Sequence, residues 1–113
     1  MNPTSSPTLT CPSVLVEASH DPCDGWTYKA TADLEINVTT SCSVEASIVA
    51  GPARRPQDAL ADLMTLCTAA GVVFKGPDRP TSLWWFAYPT GTCPDGLKDV
   101  VAETAATNGW VVD

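Results

Sequence analysis

From Trp26 to Val38 the chain alternates without a break. Trp26, Tyr28, Ala30, Ala32, Leu34, Ile36 and Val38 share one parity, and Thr27, Lys29, Thr31, Asp33, Glu35 and Asn37 share the other. A strand sends successive side chains to opposite faces, so this segment lays an apolar side on a core and a polar side in water. On a helix of 3.6 residues per turn the same apolar residues spiral round the cylinder and leave no stripe to bury. A long, one-side-buried antiparallel strand is therefore expected over residues 26–38, with room for a bend near Ala30 to Ala32. The alternation resumes with Cys42, Val44, Ala46 and Ile48 inward and Ser43, Glu45 and Ser47 outward. Both inward sets are even-numbered, so opposed residues must sum to an even number. A three-residue loop pairing Val38 with Cys42 satisfies this, whereas a two-residue turn needs a bulge to restore the phase. In that register Glu35 faces Glu45.

The flanking segments divide by the same logic. Residues 1–12 are rich in Ser, Thr and Pro without periodicity and are expected to form a flexible lead-in to a single α+β domain over residues 13–113. Residues 13–19 alternate as a shorter strand, followed by the turn-rich His20-Asp21-Pro22-Cys23-Asp24-Gly25. Pro56 opens a helix to about Ala70, with Asp58 near its positive end, a core stripe of Ala59, Leu60, Leu63, Leu66, Cys67 and Ala70, and Gly71 to close it. Residues 72–74 and 81–88 read as strands. A second helix is expected over residues 94–107, burying Leu97, Val100 and Val101 with parts of Thr104 and Ala105. Gly109 terminates it, and Trp110-Val111-Val112 forms a last short strand.

The expected fold is α+β, a predominantly antiparallel sheet with two helices on one face. From Cys42 onward the order β-α-β-β-α-β resembles the ferredoxin-like split unit with an N-terminal β extension. That unit holds its first strand in the sheet interior, which leaves no free edge for the long strand over residues 26–38. One of the two pairings must give way.

Composition limits function more than it assigns it. With 113 residues, 44% hydrophobic and 17% charged, one globular core is expected. Six basic residues against 13 acidic ones give a net charge of −7, and the cations Lys29, Arg54, Arg55, Lys75, Arg79 and Lys98 are scattered. Direct nucleic-acid or anionic-membrane binding needs a clustered basic surface, so neither is expected. No 18-residue apolar window and no signal-peptide pattern occurs, which points to cytoplasm or a host-cell interior. Five cysteines keep an extracellular, disulfide-stabilised binding module as the alternative.

The strongest functional feature is the aromatic strand over residues 81–88. Leu83, Trp85 and Ala87 share one face, and Trp84, Phe86 and Tyr88 share the other. With helices on one side, the second aromatic set is left for self-association or for a protein partner, in a structural or inhibitory contact. Asp33, Glu35 and Glu45 supply an acidic surface suited to a basic partner. A non-enzymatic interaction domain is therefore favoured. The thiol-hydrolase alternative rests on Cys93 at a helix start and on His20, the lone histidine. His20 and Cys23 are the weak metal-ligand candidates. Cys11, Cys23 and Cys93 are the disulfide candidates, while Cys42 and Cys67 fall on buried faces. No motif calls for a cofactor.

Overall fold

A computed structural model describes residues 8–39, 42–74, 80–89 and 91–112. Within them the order is β1 (Thr8–Asp21), β2 (Gly25–Thr39), β3 (Cys42–Ala53), α1 (Pro56–Ala70), β4 (Val73–Phe74), β5 (Ser82–Tyr88), α2 (Leu97–Asn108) and β6 (Val111–Val112). β1 to β3 form an antiparallel meander, and its register keeps Leu34 opposite Ala46, Ile36 opposite Val44 and Glu35 opposite Glu45. The expected three-residue loop is replaced. β2 runs to Thr39 and β3 begins at Cys42, with a register shift between Asn37 and Thr39 supplying the phase correction that a two-residue connection requires. Residues 40–41 lie outside the described residues.

β1 begins at Thr8, so residues 8–12, expected as lead-in, are strand instead, while residues 1–7 lie outside the described residues. The reason is tertiary. The edge of β1 opposite β2 is taken first by β4, at Thr10 and Cys11, and then by β5, from Ser13 to Ser19, both parallel. The change of neighbour falls at Pro12, which has no N–H to give either ladder, and the β1–β2 register shifts at the same place, between Thr10 and Ser13. Buried Thr81 bridges the junction, its hydroxyl donating to the Cys11 carbonyl at 2.8 Å.

The sheet order is β3-β2-β1-β5-β6, with β4 also on β1. It is a mixed sheet within the α+β class. The ferredoxin-like split unit does not form: β4 and β5 do not pair as a hairpin, and β3 sits at the edge beside β2. α1 crosses over from β3 to the far side of β1, and α2 carries the chain onward from β5 to β6. Both crossovers step in the same direction across the sheet, so connections of one hand place both helices on one face. α1 lies over β2 and β3, α2 lies against β5 and β6, and the helices touch. Beneath them sit Val14, Val16 and Ala18 of β1, Tyr28, Ala30, Ala32 and Leu34 of β2, and Leu83 and Ala87 of β5. No helix among the described residues is long and apolar enough to cross a membrane.

The helices contribute less than their patterns promise. α1 buries Ala59, Leu60, Leu63 and Cys67, but Leu66 is 45% exposed and Ala70 is exposed, because the stripe turns away from the sheet toward its outer edge. α2 starts at Leu97, three residues later than expected, and buries Leu97, Val101 and Ala105. Val44 is 49% exposed although its parity is inward. The 12 residues of β3 span about 40 Å and the 15-residue α1 only about 23 Å, so the helix does not cover the whole strand and Val44 is left open.

Candidate interaction surface

The strand registers turn the uncovered side of the sheet into a grid. Across one row stand Trp84, Leu15, Thr31 and Val49, on the next Phe86, Glu17 and Lys29, and on the next Tyr88, Ser19 and Thr27. In the other direction the row is Ser82, Ser13, Asp33 and Ser47, followed by Thr10, Glu35 and Glu45. Trp84 is 39% exposed and Tyr88 49%, while Phe86 lies half-buried between them. Their rings meet edge to face, with centroids 6.3 Å apart for Trp84 and Phe86 and 5.2 Å for Phe86 and Tyr88. Each positive ring edge meets a negative ring face, so the three side chains form one preorganised strip. Trp85 faces the helices instead, with the Lys98 ammonium 5.9 Å from its ring.

The backbone of this strand is open as well. β6 pairs with β5 only at Ser82 and Leu83, so from Trp84 to Tyr88 the outer edge of β5 has no strand beside it among the described residues. Proteins guard such edges with charge, proline or a bulge. Trp84-Trp85-Phe86-Ala87-Tyr88 has none of these until Pro89. The other edge strand, β3, has Glu45 and Pro52 and a bulge against β2 between Tyr28 and Ala30.

Asp33, Glu35 and Glu45 are brought together at the far side of the same face, where Ser13 donates to the Asp33 carboxylate at 3.1 Å. They stand two and three strands from β5, roughly 10–15 Å away at ordinary strand spacing. Leu15 and Glu17 belong to this surface too, and only the β1–β5 pairing could have placed them there.

The remaining candidates scatter. His20 and Cys23 are exposed at the β1–β2 turn, where His20 packs edge-on against Trp26 at 5.1 Å. Asp21 accepts from the Cys23 and Asp24 backbone N–H groups at 2.7 and 3.2 Å, which holds its carboxyl below the usual range. No group of three or more His, Cys, Asp or Glu side chains suited to a metal ion occurs among the described residues. Cys93 is exposed, its thiol within 3.6 Å of the Pro94 carbonyl, and no hydrogen bond joins it to His20. Cys11, Cys23, Cys67 and Cys93 are free. Burial, reinforced by the neighbouring Cys67, pushes the Cys11 thiol up to about 12, and burial also raises Cys67. The side chain of Cys42 lies outside the described residues.

Compared with known proteins, the chain matches no family model, no curated protein and no solved structure.

Proposed function

We propose that this chain is a non-enzymatic protein-interaction domain that associates through β5. The observation that carries the reading is an aromatic strand open on its face and along its edge at once. A second copy fits that strand by symmetry. Antiparallel addition about Phe86 sets Trp84 against Tyr88 of the other copy, continues the sheet, and merges two aromatic strips into one. Stacking the two open faces on each other is less suitable, because Glu17, Asp33, Glu35 and Glu45 would meet their own copies with Lys29 as the only cation on that face among the described residues. A different, electropositive protein is the second occupant, favoured by those same acids.

Light scattering on the purified chain and on Trp84→Ser and Phe86→Ser tests the role, with circular dichroism to confirm folding. The expected result is an assembling wild type and folded, monomeric variants. A wild type that stays monomeric to roughly 100 μM, or assembly unchanged in both folded variants, refutes self-association through β5.

A further inference from the structure

β3 is the other edge of the sheet, and its guards leave a gap. Glu45 stands on one side, and the Gly51-Pro52 bulge on the other. Between them residues 46–50 carry no charge and no proline, and no strand lies on their outer side among the described residues. α1 runs beside this gap. Only Arg54 and Arg55 separate β3 from α1, so the helix turns back at once over β2 and β3. Asp62, Thr65 and Leu66, spaced i, i+3 and i+4, share one helix face. They wall a cleft of about 380 Å³ with Val49, Ala50 and Gly51. Leu66 is 45% exposed and Val49 51%, so the part of the helix stripe that the sheet does not bury lies beside an open backbone edge. Among the described residues the wall carries one charge, the Asp62 carboxylate. Arg54, close along the chain, is tied to the Asp24 carbonyl instead.

We propose that this cleft takes an extended peptide from a partner protein, added antiparallel to β3, in which a Lys or Arg is followed two residues later by an apolar side chain. The edge supplies the backbone ladder, and the cleft supplies the choice of side chains. On an added strand the residues opposite Ala50 and Ile48 point to the helix side, about 6.7 Å apart. Asp62 and Leu66 are four residues apart on α1, about 6 Å along its axis. The two spacings match. α1 starts at the carboxyl end of β3 and runs back along it, as an antiparallel peptide does, so Asp62 is met first and Leu66 second. The cation therefore stands opposite Ala50 beside Asp62, and the apolar residue opposite Ile48 beside Leu66. The residue between them faces the open side next to Val49. Glu45 and Pro52 hold the docked segment to a few residues. The site is at the opposite edge of the sheet from β5 and stands or falls independently of it.

Amide NMR titration of the full chain with the peptide acetyl-Thr-Lys-Val-Ile-Thr-Thr-amide tests it. The control is acetyl-Thr-Lys-Ile-Thr-Val-Thr-amide, which has the same composition and charge but puts both apolar residues on the face away from the lysine. Saturable shifts are expected along residues 46–50 and at Leu66, with slowed exchange at alternate amides of the strand, the mark of a ladder on one edge. Affinity should fall roughly tenfold in Leu66→Ala and several-fold in Asp62→Asn, and by a similar factor for the control peptide. Leu66 and Asp62 are both exposed, so the variants keep the fold. No saturable shift by roughly 5 mM, equal affinity for the control peptide, binding unchanged in Leu66→Ala, or shifts confined to residues 84–88 overturns the proposal. Shifts along residues 46–50 that follow chain concentration without peptide place a second copy in the cleft and overturn it as well.

Discussion

Replacing Gly51 by alanine tests the joint on which the β3-to-α1 connection turns. Tyr28 pairs with Ala53 and Ala30 with Ala50, so Gly51 and Pro52 of β3 stand against Lys29 alone, a bulge in which Gly51 takes φ +105°. A Cβ there lies 2.6 Å from the Tyr28 carbonyl oxygen and 3.2 Å from the Lys29 Cα, both backbone atoms that cannot swing aside. Positive φ alone costs an L-residue about 1–2 kcal/mol, and forcing two strands apart adds about 1–3 kcal/mol, for a total of about 2–5 kcal/mol. Gly71 is the control. It closes α1 at φ +75° with nothing within 4 Å of its would-be Cβ, so Gly71→Ala carries only the conformational cost, about 1 kcal/mol. At this chain length 1 kcal/mol shifts Tm by roughly 5 °C, so thermal melts followed by circular dichroism separate the two variants. Equal losses at Gly51 and Gly71 would show that the Tyr28 carbonyl does not confine this bulge, and the contact argument would fail.

Leu63 and Leu66 lie on one helix yet differ in burial, 0% against 45% exposed. Urea melts should therefore show Leu63→Ala losing about 3–5 kcal/mol and Leu66→Ala under about 1 kcal/mol. In the native protein a thiol reagent should label Cys23 and Cys93 quickly and Cys11 and Cys67 only after denaturation, read by peptide mass; fast native labelling of Cys11 would contradict its burial. The raised Cys11 value favours the neutral thiol in the fold, so its stabilising contribution is full below the ordinary value of 9.0 and is lost as pH climbs toward about 12. Cys11→Ala should flatten that alkaline decline. Asp21 has the opposite sign. Its carboxyl is depressed, so it stabilises the turn above 3.8 and ceases to as pH falls through its lowered value. The protection factor of the Cys23 amide, its exchange rate set against the unstructured rate at the same pH, should fall with acid in wild type and be low throughout in Asp21→Ala.

Much of the candidate surface was legible because it follows from parity. Trp84, Phe86 and Tyr88 must share a side once residues 82–88 are a strand, and Glu35 opposes Glu45 in the register that puts the two inward sets in phase across the shortest connection. The cleft between β3 and α1 was not legible. Leu66 reads as one more member of the helix's core stripe, and Val49 carries no signal of convergence with it until α1 packs over β2 and β3 and leaves Leu66 at the outer edge. Cys93 and His20 illustrate the converse. Each has suitable chemistry in isolation, but the fold does not join them by a hydrogen bond.

The amino-acid sequence alone determined the local states: the long alternating strands, two helices closed by Gly71 and Gly109, and the membership of each strand face. Hydrophobic period and turn chemistry act between near neighbours, so they survive without knowledge of the rest of the molecule. Tertiary structure decided which strands touch. β1 needs backbone partners along its second edge from Thr10 to Ser19, and two-residue β4 cannot cover that length. β5 therefore continues the same line in place of a hairpin with β4, turning an expected split unit into a mixed sheet. That single nonlocal pairing put the aromatic strand next to an open edge.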